Sequence, residues 1–290
     1  MHCLEIEDSS EIRKHQNEKC QAAKSQPKYR LPVKIGNWNE DLFLEEERLR
    51  PVELAKEAPY VTYGTRYQIQ VYDIPSQIVS GSDQRAKHGL VLAGIMNEKH
   101  IEEASHFVHG CDLTLSPDKE PRVRNTFMFV GCDGQLDRQN LYYGDDVYIR
   151  ICESGVEGHL LLQCKNSLCN EVGKHLHLQL TQTPDFYCRF KIFHWNPQDR
   201  FVTSGSPFPP NTRIIIQHSA SGKNLACLYK YWVPTLFGDE CTVTCYNFKD
   251  THRMETDENF WKIVSQIIPD KSLVLRVSKG EDLPLDQIIE

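Results

Sequence analysis

The 290-residue chain contains no apolar run longer than Gly89–Met96. About 20 consecutive apolar residues are needed to cross a bilayer as a helix, so no transmembrane helix is expected. Met1–Ser10 offers neither a basic n-region nor an apolar h-region, which reads as no secretory signal. No Asn-x-Ser/Thr sequon occurs, and the eleven cysteines are odd in number and irregular in spacing. Together these argue against a disulfide framework and for reduced thiols packed as small hydrophobes. A nucleophile elbow, a Walker loop, a dinucleotide Gly-rich turn and paired zincin histidines are also missing, so neither an enzyme activity nor a cofactor is expected. What is present is ordinary for a globular chain: 40% hydrophobic and 25% charged residues, with a mean hydropathy of -0.50, which excludes a collagen-like, coiled-coil or wholly disordered protein. The net charge of -7 opposes unguided binding to nucleic acid or anionic membrane.

Charge is unevenly spread. Ile12–Lys34 holds seven basic residues (Arg13, Lys14, Lys19, Lys24, Lys28, Arg30, Lys34) against Glu18 alone, hence +6, while the other 26 basic and 39 acidic residues give -13. With few apolar residues and no periodicity, this segment reads as an extended basic arm, either solvated or docked on an acidic partner. In Gly36–Arg50, Asn37 or Asn39 can cap a helix whose first turn carries Glu40 and Asp41. Trp38, Phe43 and Leu44 are its apolar anchors, and Pro51 permits a continued or restarted helix through Val52–Lys56 with a break at the proline. The expected organisation is a basic arm over 1–32, a helical clasp over 33–58, an all-β domain over 59–268 and a polar, acidic tail over 269–290.

From Tyr60 onward, short β-branched and aromatic runs alternate with Gly, Pro, Asn, Asp and Ser, the punctuation of strands. Val61–Val71 aligns with Leu141–Ile151 through a shared Tyr-Gly turn (Tyr63-Gly64, Tyr143-Gly144), and more weakly with Asn211–His218. Each copy is followed by a second strand candidate (Gly89–Leu92, His159–Leu162, Asn224–Cys227). Each then closes on an aromatic-led strand (Phe127–Val130, Phe190–Phe193, Trp261–Val264). One such unit cannot bury its own apolar face, whereas three around an axis close a barrel and remove exposed edges. The fold class expected is therefore all-β, a pseudo-threefold β-trefoil-like domain with insertions, including a short helix within Asn97–Gly110. Gly131–Gly134 and Ser219–Gly222 read as hairpin turns.

Candidate chemistry is sparse. Cys164 and Cys169 with His175 and His177, or Cys241 and Cys245 with His252, could be assembled into a zinc site, but neither spacing suits a structural one. Alternation over Lys174–Leu180 places His175 and His177 together on the polar face of a strand. Trp195-Asn196, and Tyr142-Tyr143 with Asp145, offer sugar platforms, although the Gln-x-Trp signature of ricin-type trefoils is absent. No catalytic, cofactor or metal residue is assigned.

The assembled motifs resemble a known family. Gly36-Asn37-Trp38-Asn39-Glu40-Asp41 ahead of an acidic helix, Arg124-Asn125-Thr126-Phe127, Tyr143-Gly144, Pro209–Ile214, Asn224-Leu225-Ala226 and Asp250-Thr251-His252-Arg253 look like the cilia- and flagella-associated protein 161 family. The resemblance runs from about Val33 to about Val264. It implies a MIR-like trefoil and a non-catalytic microtubule inner protein of the cilium or flagellum axoneme, a cytoskeletal location within the cytoplasm. There it would bind the luminal wall of the doublet's A-tubule near the seam, with α/β-tubulin and other inner proteins as partners and neither nucleic acid nor membrane. The partner-binding residues expected are Arg13, Lys14, Lys19, Lys24, Lys28, Arg30, Lys34 and Trp38, since tubulin is acidic. The alternative from the residues alone is a cytosolic trefoil that binds a glycan or small ligand.

Overall fold

The structure, a computed structural model, describes residues 48–56, 58–74, 89–96, 106–152, 159–164, 171–172 and 175–266. The basic arm, the caps and anchors of the expected clasp, residues 97–105 of the segment Asn97–Gly110 expected to hold an insertion helix, and the tail lie outside them, and residues 106–110 of that segment are not helical. Among the described residues no helix is long and apolar enough to cross a membrane.

Six strands close a barrel: β1 (Arg66–Val71), β4 (Phe127–Gly131), β5 (Asp146–Ile151), β10 (Arg189–His194), β11 (Ile214–His218) and β14 (Trp261–Val264). Each pairs antiparallel with its two neighbours, in the cyclic order β1-β4-β5-β10-β11-β14 and back to β1. All three segments aligned in the sequence therefore supply strands of one barrel. Period-two alternation drives closure. In β5, Val147, Ile149 and Ile151 point inward while Asp146, Tyr148 and Arg150 stay partly wet. Corresponding layers are filled by Ile69, Ile149 and Ile216, and by Phe127, Phe190 and Trp261, all essentially buried.

Three further hairpins cover one end of the barrel: β2 (Val91–Ile95) with β3 (Asp112–Ser116), β6 (Leu161–Cys164) with β9 (Leu178–Thr181), and β12 (Leu225–Thr235) with β13 (Gly238–Cys245). β3 touches both other hairpins, through Asp112↔Gln179 and Cys241↔Leu115. A small extra hairpin, β7 (Glu171–Val172) with β8 (His175–Leu176), is inserted between β6 and β9. Immediately before β4, β10 and β14 the chain makes one 3-10 turn, at Val123–Asn125, Phe186–Cys188 and Asp257–Asn259. Each turn is closed by an N–H bonding three residues back: Asn125 to Arg122, Cys188 to Asp185 and Asn259 to Thr256.

Three local expectations are corrected. Arg48 and Leu49 are helical, but the helix does not continue past Pro51. Residues 51–56 run extended across the barrel wall, bridging Pro51 to Arg122 and Lys56 to Gln266, because proline lacks the N–H that a continuing helix needs. His175 and His177 do not share a polar face. His175 is buried, its ring stacked 4.2 Å from that of Tyr246, whereas His177 sits in the break between β8 and β9 and bonds Asp112 at 2.7 Å. Finally, Gly131–Gly134 opens the long connection 132–145 rather than a tight hairpin, while Ser219–Gly222 does form the β11–β12 turn, with the Gly222 N–H bonding His218 O.

Candidate interaction surface

At the barrel end opposite the hairpins, the connections entering β1, β5 and β11 meet. Each enters its strand through a residue in the left-handed region, Gly64 (φ +70°), Gly144 (φ +91°) and Asn211 (φ +62°). Each of these donates its N–H to the closing strand of its own unit, to Phe129 O, Ile192 O and Ile263 O at 2.9, 2.9 and 2.8 Å. Glycine and asparagine are the residues that tolerate this backbone at low cost. The connections also bond one another: Leu141 N to Val61 O, Val61 N to Phe208 O and Tyr143 N to Ser206 O. The result is a hydrogen-bonded rim.

Large apolar side chains emerge from this rim into solvent: Tyr60, Leu136 and Tyr142, and above all Phe201 (92% exposed) and Val202 (81%). The last two occupy a one-turn helix, α1 (Arg200–Thr203), in a connection that is tied down at many points. Arg200 Nε donates to His194 O at 2.9 Å and Nη2 to Trp195 O at 3.2 Å, while its guanidinium pairs with Glu255. Asn196 Nδ2 bonds Asp199 Oδ2 at 2.8 Å, Thr203 Oγ1 bonds Asp199 O at 2.8 Å, and Ser206 Oγ bonds Thr203 O at 2.6 Å. A knob of two exposed hydrophobes on a pre-ordered loop loses little entropy on contact, the property of a protein-binding anchor. The 132–145 and 195–213 connections carry four acids (Asp133, Asp137, Asp145, Asp199) against Arg138, Arg200 and Arg213, hence -1. The rim is thus apolar and close to neutral, unlike the arm.

The eight residues expected to bind a partner, Arg13, Lys14, Lys19, Lys24, Lys28, Arg30, Lys34 and Trp38, lie outside the described residues. Of the sugar-platform rings, Trp195 and Tyr143 are already packed against other side chains. Arg213 lies 5.0 Å from the Trp195 ring centroid while Phe260 meets that ring edge-on, and Tyr143 is buried and stacked on Phe208 at 4.7 Å. The Tyr63 hydroxyl donates to Asp145 Oδ2 at 3.3 Å, and burial followed by that carboxylate pushes its pKa up. Of the zinc candidates, Cys241 and Cys245 are buried in β13 while His252 lies exposed in a turn. Among the described residues no group of three His, Cys, Asp or Glu side chains could hold a metal ion. Sequence reasoning missed the knob, since nothing local distinguishes an exposed Phe-Val from a buried one.

A model of the cilia- and flagella-associated protein 161-like domain matches residues 42–172 and 162–266. The chain belongs to the cilia- and flagella-associated protein 161-like family. It is 26% identical to cilia- and flagella-associated protein 161 of Danio rerio over 80% of this chain and 86% of that protein. To the Bos taurus protein of the same name it is 28% identical over 80% and 81%, and to the Mus musculus one 27% over 85% and 91%. Among solved structures, the SDF2-like protein from Arabidopsis thaliana is a distant likeness, with a TM-score of 0.48 and 12% identity over 72% of this chain and 98% of that one. Among the described residues, the motifs that carried the family resemblance shape turns, while Gly36–Asp41 lies outside them. Asn125 Nδ2 bonds Asp118 O and Glu120 O, Gly144 and Asn211 turn the rim, and Asp250 Oδ1 accepts the N–H groups of His252 and Met254 to close a turn in which Arg253 is left-handed.

Proposed function

We propose that this protein is a structural, non-catalytic microtubule inner protein of motile cilia and flagella. Its barrel is a β-trefoil of the MIR type, seated on the luminal wall of the doublet's A-tubule near the seam, with α/β-tubulin and neighbouring inner proteins as partners. Membership of a family named for cilia and flagella carries this reading. Two physical features support it: a closed barrel with an ordered apolar rim, suited to a fixed place in a repeating lattice, and a +6 segment that an acidic lattice attracts. A basic arm and an apolar rim suit two different neighbours, tubulin for the arm and another inner protein for the rim.

The test is fractionation of tagged protein from ciliated cells. Retention on axonemes after detergent extraction, and release only when the doublets are disrupted, is expected. Deleting Met1–Arg30 should weaken retention and flatten its salt dependence, because exposed ion pairs are worth about 0.2–1 kcal/mol each and act collectively. Quantitative release by detergent alone would overturn the reading in favour of a soluble ligand-binding barrel.

A further inference from the structure

Two cysteines face each other inside the β12–β13 hairpin. Cys227 Sγ and Cys241 Sγ are 3.7 Å apart, both wholly buried, and the Cys241 thiol donates to Leu228 O at 3.2 Å. The ladder is regular from Leu225↔Cys245 to Leu228↔Thr242 and then jumps to Trp232↔Cys241, leaving Tyr229, Lys230 and Tyr231 opposite nothing. In a regular antiparallel pair, diagonal neighbours stand about 7–8 Å apart at Cα, slightly beyond the roughly 4.4–6.8 Å that a disulfide spans. Here the missing distance falls at a bulge, where the backbone can give. The sulfurs need to close from 3.7 Å to about 2.05 Å.

We propose that Cys227 and Cys241 form a latent disulfide, closed by hydroperoxide oxidants. One thiolate attacks the peroxide, breaking the O–O bond to give a sulfenic acid and hydroxide. The second sulfur then displaces the sulfenic oxygen as water, forming the S–S bond; both sulfurs are oxidised and one hydrogen peroxide is reduced to two waters. Burial raises the Cys227 thiol pKa, so the intact hairpin reacts slowly and the reactive state is the one opened at the bulge. What holds the bulge shut is Tyr229, whose hydroxyl lies 2.9 Å from both Asp73 O and Asp257 O and whose carbonyl accepts Trp232 Nε1 at 3.0 Å. Tyr229 is thus the gate to the pair, and the closed disulfide clamps the bulged end of the hairpin to the end that caps the barrel.

The experiment treats the full chain with hydrogen peroxide, denatures it in N-ethylmaleimide and maps peptides by mass spectrometry. Expected is a Cys227–Cys241 linked species two hydrogens lighter than the dithiol, with neither sulfur alkylated and a melting midpoint raised by several degrees. Tyr229→Phe should speed its appearance several-fold, and Cys227→Ala should leave Cys241 alkylated. The mapping on the unmodified sequence needs no variant to fold. Alkylation of both sulfurs while the partly exposed Cys132 and Cys152 oxidise would overturn the proposal, as would linkage of either sulfur to Cys164 or Cys245.

Discussion

Glu240 and Arg124 have side chains only 1% and 3% exposed. The carboxylate accepts Nη1 and Nη2 of the guanidinium at 2.8 Å each and Thr114 Oγ1 at 2.7 Å, while Arg124 Nε reaches Gly94 O and the Phe237 ring lies 3.8 Å from the guanidinium carbon. The network pins the β2–β3 hairpin, the turn before β4 and the β12–β13 hairpin together. Desolvating two ions costs several kcal/mol each, which the bidentate geometry offsets, whereas removing one partner strands the other. Glu240→Gln is therefore expected to lower stability to urea by about 3–5 kcal/mol, and the double replacement Arg124→Met/Glu240→Leu by much less. Equal losses in the two variants would refute the pairing argument. His218 shows another way to bury polarity. It occupies the barrel position held by Val71 and Ile151 in the other two units, fully buried. Its Nε2 donates to Tyr187 O at 3.0 Å, and its Nδ1 bonds Ser221 Oγ at 2.8 Å. Neither feature is legible in the sequence, because Arg124 and Glu240 are 116 residues apart and His218 looks like the exposed end of an alternating strand.

Of the elements, the six barrel strands could be read from the sequence, since inward positions alternate with polar ones and aromatic residues open β4 and β14. The third strand of each unit was harder. β3 and β13 mix threonine, cysteine and acids, and Glu240 is buried by a partner no local pattern contains. The rim turns were legible as Tyr-Gly dipeptides, and their weight can be measured. A Cβ at Gly64 would lie 2.3 Å from Asp137 Oδ1 on a backbone of φ +70°, so Gly64→Ala should cost more than about 1 kcal/mol. Asn211→Gly, at a position already left-handed, should change the urea midpoint little; a large loss there would mean that the asparagine side chain, not the backbone, sets the turn. Ile149→Ala, in the buried layer shared with Ile69 and Ile216, should cost about 2–5 kcal/mol. Phe201→Ser should leave the melting temperature unchanged yet reduce retention on axonemes, and normal retention would remove α1 from the attachment surface.

For the whole molecule, the distribution of thiols sets how stability changes with pH. Burial is the largest cause raising the pKa of Cys111, Cys188 (to about 12), Cys227 and Cys245, whereas an unfolded thiol titrates near 8.5. Above about pH 8.5, then, the unfolded chain gives up protons that the folded chain keeps. It binds fewer, so unfolding becomes more favourable as pH rises. Cys164 has the opposite sign. A hydrogen bond from the Cys245 thiol holds it down to about 6 against its own burial. Its contribution to stability is present above the unfolded pKa and is lost as pH falls through about 6. The sequence suggested buried, reduced thiols in general. It did not reveal that one of them is hydrogen-bonded by Cys245, 81 residues along the chain, because no local pattern contains that partner. The urea midpoint is therefore expected to rise from pH 6 to about 8.5, where Cys164 stops contributing to the change, and to fall from there to pH 10 as the four buried thiols keep protons that the unfolded chain loses. Cys164→Ala should abolish the rising limb and spare the falling one. A midpoint that kept climbing between pH 8.5 and 10 would show that these thiols do not stay protonated in the folded barrel, and the burial argument for them would fail.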